Sequence, residues 1–220
     1  MNLVTLALEL LLPALCAGCG APGSACCPAC RAELTRPQPA TRGSLPVPAY
    51  ALAPYGGTPR RLVLAYKERG RRDLADPLGH ALADALPHLP EARAAPDGTW
   101  WLVPAPSRRA ASRQRGGPHL LALARRCALH LTRAGHSAAV APALRLSSRA
   151  RDAVGLDRDQ RAANLAGRLR IDPRGHPPPG APLVLLDDVI TTGATISACT
   201  RALTTAGWEV SAALVLTAAG

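Results

Sequence analysis

The chain has 220 residues, which suits one α/β domain with at most a small appendage, and its 48% hydrophobic residues can build a sizeable core. Because the chain contains no Phe, Ala, Leu and Val must build that core. Lys and Arg outnumber Asp and Glu by 26 to 15, which fits phosphate-bearing ligands or nucleic acid, but the interleaved basic and aromatic residues of a single-strand binding platform are absent from the sequence.

The first residues, MNLVTLALELLLPALCAGC, share only an apolar run with an export signal. No Lys or Arg precedes the run, and Glu9 interrupts it. Leu15 stands before Cys16, where a lipoprotein site needs a small residue, and the run is too short to span a bilayer. We therefore expect residues 3–12 to form a short amphipathic helix of a cytoplasmic protein without membrane insertion, with an export signal as the alternative.

Five of the seven cysteines fall within residues 16–30, and four of them form two C-x2-C pairs, CAGC and CPAC. Paired spacings of this kind give four thiolates for tetrahedral, structural Zn²⁺. Cys26 is either spare or an alternative to Cys27, and the preference for Cys27 rests on its spacing to Cys30. A disulfide framework is the other interpretation, but nothing in the sequence indicates an oxidising compartment. The expected zinc ligands are Cys16, Cys19, Cys27 and Cys30.

A Pro-rich stretch at residues 36–48 is typical of a linker, so we divide the chain into a zinc-binding segment (1–35), the linker (36–48) and a main domain (49–220). In the main domain, apolar runs alternate with segments of helical periodicity. This alternation predicts an α/β fold with a parallel sheet covered by helices on both faces. Strands are predicted over residues 49–55, 99–106, 139–146, 183–188 and 209–217, and helices over residues 58–70, 73–86, 118–135 and 194–207.

The stretch LVLLDDVITTGAT, residues 183–195, places Asp187 and Asp188 at the end of an apolar strand. Adjacent buried carboxylates are costly unless something binds them. Ligands of open parallel sheets lie beyond the carboxyl ends of the strands, and the amino end of the following helix favours a phosphate. The two carboxylates and the loop therefore predict a sugar-phosphate site. The loop and helix start supply Thr191, Thr192, Gly193, Ala194 and Thr195.

Two other interpretations of this stretch are weaker. An aspartate of this kind in a nucleoside triphosphatase needs a Gly-rich loop that ends in Gly-Lys-Ser/Thr, but the one lysine of the chain, Lys67, follows no such loop. Alternatively, the aspartates could cap the next helix. Capping would use one carboxylate but hardly two, together with three threonines and a glycine.

LVLLDDVITTGAT resembles the 5-phosphoribosyl-1-pyrophosphate (PRPP) motif of type I phosphoribosyltransferases. Taken with LLPALCAGCG, YGGTPRRLVLAYKERG, LVPAPSRRAASRQRG and RAANLAG in this order, the chain resembles the ComF (ComF/GntX-like) family of competence-associated proteins over nearly its full length. Members of that family are cytoplasmic proteins with an N-terminal zinc-binding segment and a C-terminal phosphoribosyltransferase domain. The resemblance therefore implies a type I phosphoribosyltransferase fold with a small zinc-knuckle segment in front of it.

The resemblance also implies roles for individual residues. Asp187 and Asp188 would bind the ribose hydroxyls of PRPP as the catalytic carboxylates, and residues 191–195 would hold its 5-phosphate. Mg²⁺ would accompany the pyrophosphate and would keep several waters and few protein ligands. The residues implied for the pyrophosphate or the substrate are Lys67, Ser107, Arg108, Arg109 and Arg115.

The sequence departs from the family pattern on the acceptor side. Gly117 and Pro118 stand where members often carry an aromatic and a polar residue, while His119 keeps a polar group. Two functions therefore stay open. One is a phosphoribosyltransferase with an unknown acceptor. The other is a non-catalytic ribose-phosphate-binding accessory protein of natural transformation, which would act through a protein of the DNA-uptake machinery or through single-stranded DNA.

Overall fold

A computed structural model describes residues 15–40, 45–106, 118–147, 168–173 and 175–219, so the helix predicted at residues 3–12 lies outside the described residues. The strands are β1 (Gln38–Pro39), β2 (Ala49–Pro54), β3 (Trp100–Pro104), β4 (Ala138–Val140), β5 (Leu144–Leu146), β6 (Leu169–Ile171), β7 (Leu183–Ile190) and β8 (Val210–Ala218). Six of them form one sheet in the order β1-β2-β8-β7-β3-β4, which is parallel except for the β1–β2 pair. β5 and β6 form a separate antiparallel pair.

Helices flank this sheet. They are α1 (Pro28–Ala32), α2 (Gly57–Lys67), α3 (Ala75–Ala85), α4 (His119–Arg133) and α5 (Ala194–Thr205). The pair α3–α4 packs closely, and α2, α3 and α4 contact strands of the main sheet, while α5 contacts β6, β7 and β8. The predicted α/β architecture, a mostly parallel sheet flanked by helices, is confirmed.

The two central strands supply the middle of the core. The residues from Leu183 to Leu186 on β7 and from Ala212 to Leu216 on β8 are fully buried. Both faces of these strands are covered, so their sequences are continuous apolar runs rather than alternating ones. The aspartates of the candidate site therefore follow directly from the most buried part of the sheet.

The structure corrects one predicted strand. Residues 139–146 form two strands, β4 and β5, which pair with β3 and β6 respectively. Pro142 lies between them and cannot donate a backbone hydrogen bond, so one continuous ladder does not form across it. The pairing of residues 169–171 as β6 was not predicted, and two residues of the predicted linker pair with β2 as β1.

None of the helices in the described ranges is long and apolar enough to cross a membrane.

Candidate functional site

The carboxyl ends of the parallel strands meet at one edge of the sheet. The amide of Tyr55, just after β2, donates to the carbonyl of Ala218 at the end of β8, and the amide of Ala219 donates to Ile190 at the end of β7. The loop of residues 191–193 leaves β7 at this edge and enters α5. This is the edge at which open parallel sheets bind ligands.

Asp187 lies near this edge and is buried, with 5% of its surface exposed. Its Oδ1 accepts the backbone N–H of Asp188 at 2.8 Å. Burial, followed by the negative charge of Asp188, raises the pKa of Asp187 to about 7, although the N–H bond and the charge of Lys67 act in the opposite direction. Asp187 is therefore an acid that can hold a proton near neutral pH.

Asp188 has a different environment because successive side chains of a strand point to opposite faces. Lys67 Nζ donates to Asp188 Oδ1 at 2.9 Å, and His119 Nε2 lies 3.0 Å from Oδ2. Burial acts to raise the pKa of Asp188, but the bond from His119 and the charge of Lys67 outweigh it and hold that pKa below its usual value. Asp188 is therefore an ionised carboxylate, with one donor on each oxygen.

Lys67 is the cation of this site. It is the last residue of α2, and its side chain is 31% exposed. Burial acts to lower the pKa of Lys67, but the Asp188 carboxylate, and more weakly Asp187, raise it above the usual value. The ammonium thus stays charged beside the two carboxylates.

The loop after β7 has the features of an anion site. Gly193 precedes the 12-residue helix α5 with a φ of 75°, in the left-handed region that favours glycine. Gly193 provides no side chain to cap the helix, whose first turn carries no acidic residue. The amide of Ala194 donates to Thr192 Oγ1 at 3.3 Å, while Thr191 is exposed and Thr195 is half-buried. Helix N–H groups, with the helix dipole, favour an anion at this position.

The structure brings Asp187, Asp188, Lys67 and the loop of residues 191–195 to one region of the sheet. Ser107, Arg108, Arg109 and Arg115 lie outside the described residues, so their predicted pyrophosphate contacts remain predictions.

Sequence reasoning missed the contact between His119 and Asp188. These residues are 69 positions apart, and His119 was noted only as a polar group on the acceptor side. Its position at the start of α4 becomes meaningful only once α4 is packed beside β7. Apart from that polar character, no signal in the sequence pointed to this contact.

The four cysteines of the two C-x2-C pairs form a second site. Their sulfur atoms all lie within 4.8 Å of one another, and those of Cys19 and Cys27 are 3.7 Å apart. Zn–S bonds of about 2.3 Å in a tetrahedron place the sulfurs about 3.8 Å apart, so the group fits a metal such as zinc. All cysteines are free thiols, so the alternative disulfide framework does not occur in this structure. The members are Cys16, Cys19, Cys27 and Cys30.

Cys26 stands apart from this group. Its sulfur faces the carbonyl of Cys27 at 3.9 Å, and burial raises the pKa of its thiol to about 11. For Cys16, burial also acts to raise the pKa, but N–H groups that donate to its sulfur, led by that of Cys27, lower it to about 6. The N–H bonds to the Cys16 sulfur thus favour its thiolate, the form that binds a metal, and the structure places Cys27, not Cys26, in the group.

The cysteine segment is tied to the main domain. Arg61 Nε on α2 donates to the carbonyl of Gly18, and Arg31, next to Cys30, bonds His80 Nδ1 on α3 at 2.8 Å. A Cβ at Gly18 would come within 2.8 Å of Cys30 Sγ, so only glycine fits this turn. The group of four cysteines therefore lies where a bound metal would link this segment to helices of the main domain.

No protein-family model and no curated protein matches the chain. Among solved structures, the chain is similar to an adenine phosphoribosyltransferase from Thermoanaerobacter pseudethanolicus, with a TM-score of 0.38 and 16% sequence identity. The similarity covers 84% of this chain and 83% of that one.

Proposed function

We propose that the protein binds Mg-PRPP or a related ribose phosphate at Asp187, Asp188 and the loop of residues 191–195. The observation that carries this proposal is the buried carboxylate pair at the carboxyl edge of the sheet. It lies beside a helix start whose N-cap residue, Gly193, has no capping side chain. In this arrangement, ribose hydroxyls donate to the carboxylates, and the 5-phosphate accepts from amides and threonine hydroxyls of the loop. The resemblance of LVLLDDVITTGAT to the PRPP motif supports the same ligand.

For the reaction, we propose transfer of the phosphoribosyl group to a nitrogenous acceptor with release of pyrophosphate. The carboxylates orient the ribose and stabilise positive charge that grows near its anomeric carbon. Lys67 is the described cation that contacts Asp188, and its ammonium can neutralise negative charge on the leaving group. By resemblance, Ser107, Arg108, Arg109 and Arg115 add to this pyrophosphate end.

The two metal ions have different roles in this proposal, one structural and one bound with the substrate. Zn²⁺ is proposed as a structural ion of the four cysteines, because four sulfur ligands leave no open position for a reactant. Mg²⁺ is proposed to arrive with the pyrophosphate. Within the described ranges, no group of three acidic or histidine side chains forms a further metal site, and Mg²⁺ commonly binds through substrate phosphates and waters.

A second candidate function is ligand binding without turnover. Asp187 and Asp188 keep both carboxyl groups for a ribose, whereas Gly117 and Pro118 replace the aromatic and polar residues that the resembled family often carries on the acceptor side, which favours binding over turnover. The link to natural transformation, through a DNA-uptake protein or single-stranded DNA, rests on the ComF resemblance alone.

Phosphorus NMR can test the proposal and separate the two functions. Mg-PRPP is mixed with zinc-loaded protein, first alone and then with a panel of nitrogenous bases. Binding predicts broadening or displacement of the 5-phosphate resonance, and turnover predicts a free pyrophosphate signal that requires one of the bases. An unchanged PRPP spectrum at high protein concentration would exclude both functions. The Asp97→Asn variant is the matched control, because Asp97 is exposed and lies before β3, away from the carboxyl edge.

A further inference from the structure

Asp188 is held from two sides by groups of very different accessibility. Lys67 contacts Oδ1 at 2.9 Å and His119 contacts Oδ2 at 3.0 Å. The side chain of Lys67 is 31% exposed, whereas those of His119 and Asp188 are 3% and 4% exposed. A ligand that arrives from solvent can therefore displace the ammonium from Oδ1, but it cannot displace the imidazole from Oδ2 without opening the core.

The His119 ring is itself fixed in place. His119 is the first residue of α4, and its carbonyl accepts the hydroxyl of Tyr66 at 2.6 Å. The Tyr66 ring also packs edge-on against the imidazole, with 5.8 Å between the ring centres. Because Tyr66 immediately precedes Lys67, the last turn of α2 orients both partners of Asp188.

The hydrogen-bond pattern assigns the proton on this ring. Asp188 forms an ion pair with the Lys67 ammonium at 2.9 Å and so acts as an acceptor, which assigns the proton between the two residues to His119 Nε2 as donor. His119 Nδ1 is buried and has no hydrogen-bond partner among the residues that the structure describes. An unpartnered buried polar atom costs free energy, and the charge-assisted bond from Nε2 to the carboxylate offsets that cost. Among the described residues, the hydrogen bond of this ring is therefore the one to Asp188.

We propose that His119 is a positioning residue, which fixes the Asp188 carboxylate by its bond to Oδ2. The other oxygen, Oδ1, then exchanges its bond from the Lys67 ammonium for a bond from a ligand hydroxyl. The inference rests on the proposed function only for the identity of that ligand. The bond between His119 and Asp188 exists without the ligand and can be tested alone.

The first experiment is nitrogen NMR of the ligand-free, zinc-loaded protein with labelled histidine. We expect the His119 ring to show the signature of a proton on Nε2, and we expect the Asp188→Asn variant to displace that resonance. A ring protonated on Nδ1 alone, or one that does not respond to Asp188→Asn, would overturn the proposal. The exposed His136, on the turn after α4, should be unaffected and serves as the internal reference.

The second experiment measures affinity for ribose 5-phosphate and for Mg-PRPP by calorimetry. His119→Leu removes the donor, and we expect both affinities to fall about tenfold, as for loss of a charge-assisted hydrogen bond. His119→Gln keeps an N–H of similar reach, so its affinities should stay within about threefold of the unmodified protein. His136→Leu should change neither affinity. A general packing role would instead make the leucine and glutamine variants equivalent.

The outcomes separate this inference from the proposed function. If the unmodified protein binds neither ligand, the proposed function fails, and the NMR result alone decides the positioning role. If the protein binds and His119→Leu binds equally well, the positioning role is overturned while the proposed function stands. Should His119→Leu not fold, His119→Asn replaces it. Its shorter amide should bind about tenfold more weakly than His119→Gln, and equal affinities of these two variants would contradict the proposal.

Discussion

Replacing Asp187 by asparagine should remove a pH dependence of stability that the fold imposes. Burial raises the pKa of Asp187 to about 7 in the folded protein, from an ordinary value of 3.8. Between these two values the folded state binds a proton that the unfolded state has already lost. The free energy of unfolding therefore falls as pH rises through this interval and becomes constant above it. Asp187→Asn cannot ionise, yet its amide oxygen can still accept the Asp188 N–H.

The size of the effect follows from the same interval. The slope is about 1.4 kcal/mol per pH unit well below the pKa of Asp187 and falls to half of that at the pKa, so the change between pH 5 and pH 7 is roughly 2 kcal/mol. Asp188, whose pKa is lowered, acts in the opposite sense, because its stabilisation is lost only as pH falls below the usual carboxyl range. The two aspartates therefore act in separate pH windows, and the window from pH 5 to 7 reports on Asp187.

The assay is urea unfolding of the zinc-loaded protein at several pH values between 5 and 8. The informative quantity is the difference between the unmodified protein and Asp187→Asn, because contributions that the two proteins share cancel in it. We expect the unmodified protein to lose about 2 kcal/mol more than the variant between pH 5 and pH 7. Parallel curves for the two proteins would show that Asp187 ionises as if exposed, and the description of the site as a desolvated pair would be wrong. Asp97→Asn should follow the unmodified protein.

Further changes test other parts of the account. Gly193→Ala should lower the free energy of unfolding by about 1–2 kcal/mol in urea, because a side chain is strained at a φ of 75°; an unchanged value would mean that the loop adopts another conformation. Metal analysis should find roughly one zinc per chain in the unmodified protein and in Cys26→Ser, but much less in Cys27→Ser. The reverse pattern would show that Cys26, and not Cys27, is the zinc ligand. Lys67→Met should lower stability by about 1–3 kcal/mol, because it leaves Asp188 without its cation, but it should not weaken ribose 5-phosphate binding, since a hydroxyl then replaces the ammonium on Oδ1. Weaker binding of that ligand by calorimetry would contradict the exchange at Oδ1.

Local pattern was sufficient for the central elements. The apolar run before Asp187 predicts β7 because a strand covered on both faces is apolar throughout, and the glycine after the threonines predicts the turn into α5. The two C-x2-C pairs predict the cysteine group because their spacing alone brings the thiols together. The prediction of one strand over residues 139–146 was wrong, because Pro142 interrupts the ladder inside this apolar run.

The electrostatics of the site could not be predicted in this way. The partners of Asp188 come from α2 and α4, 121 and 69 residues away in the chain, and only the packed fold sets these distances. The same holds for the contrast between the raised pKa of Asp187 and the lowered pKa of Asp188, because it depends on which face of the sheet holds the cation.

The most direct test of the central claim is a calorimetric titration of Mg-PRPP into the zinc-loaded protein and into its Asp188→Asn variant. The account predicts saturable binding to one site per chain, with the 5-phosphate and ribose both required. Asparagine keeps the size of Asp188 but removes its charge, so affinity should fall about tenfold or more in the variant and stay unchanged in Asp97→Asn. Equal affinities of the unmodified protein and Asp188→Asn, or no binding by either, would contradict the claim that this carboxylate pair holds a ribose phosphate.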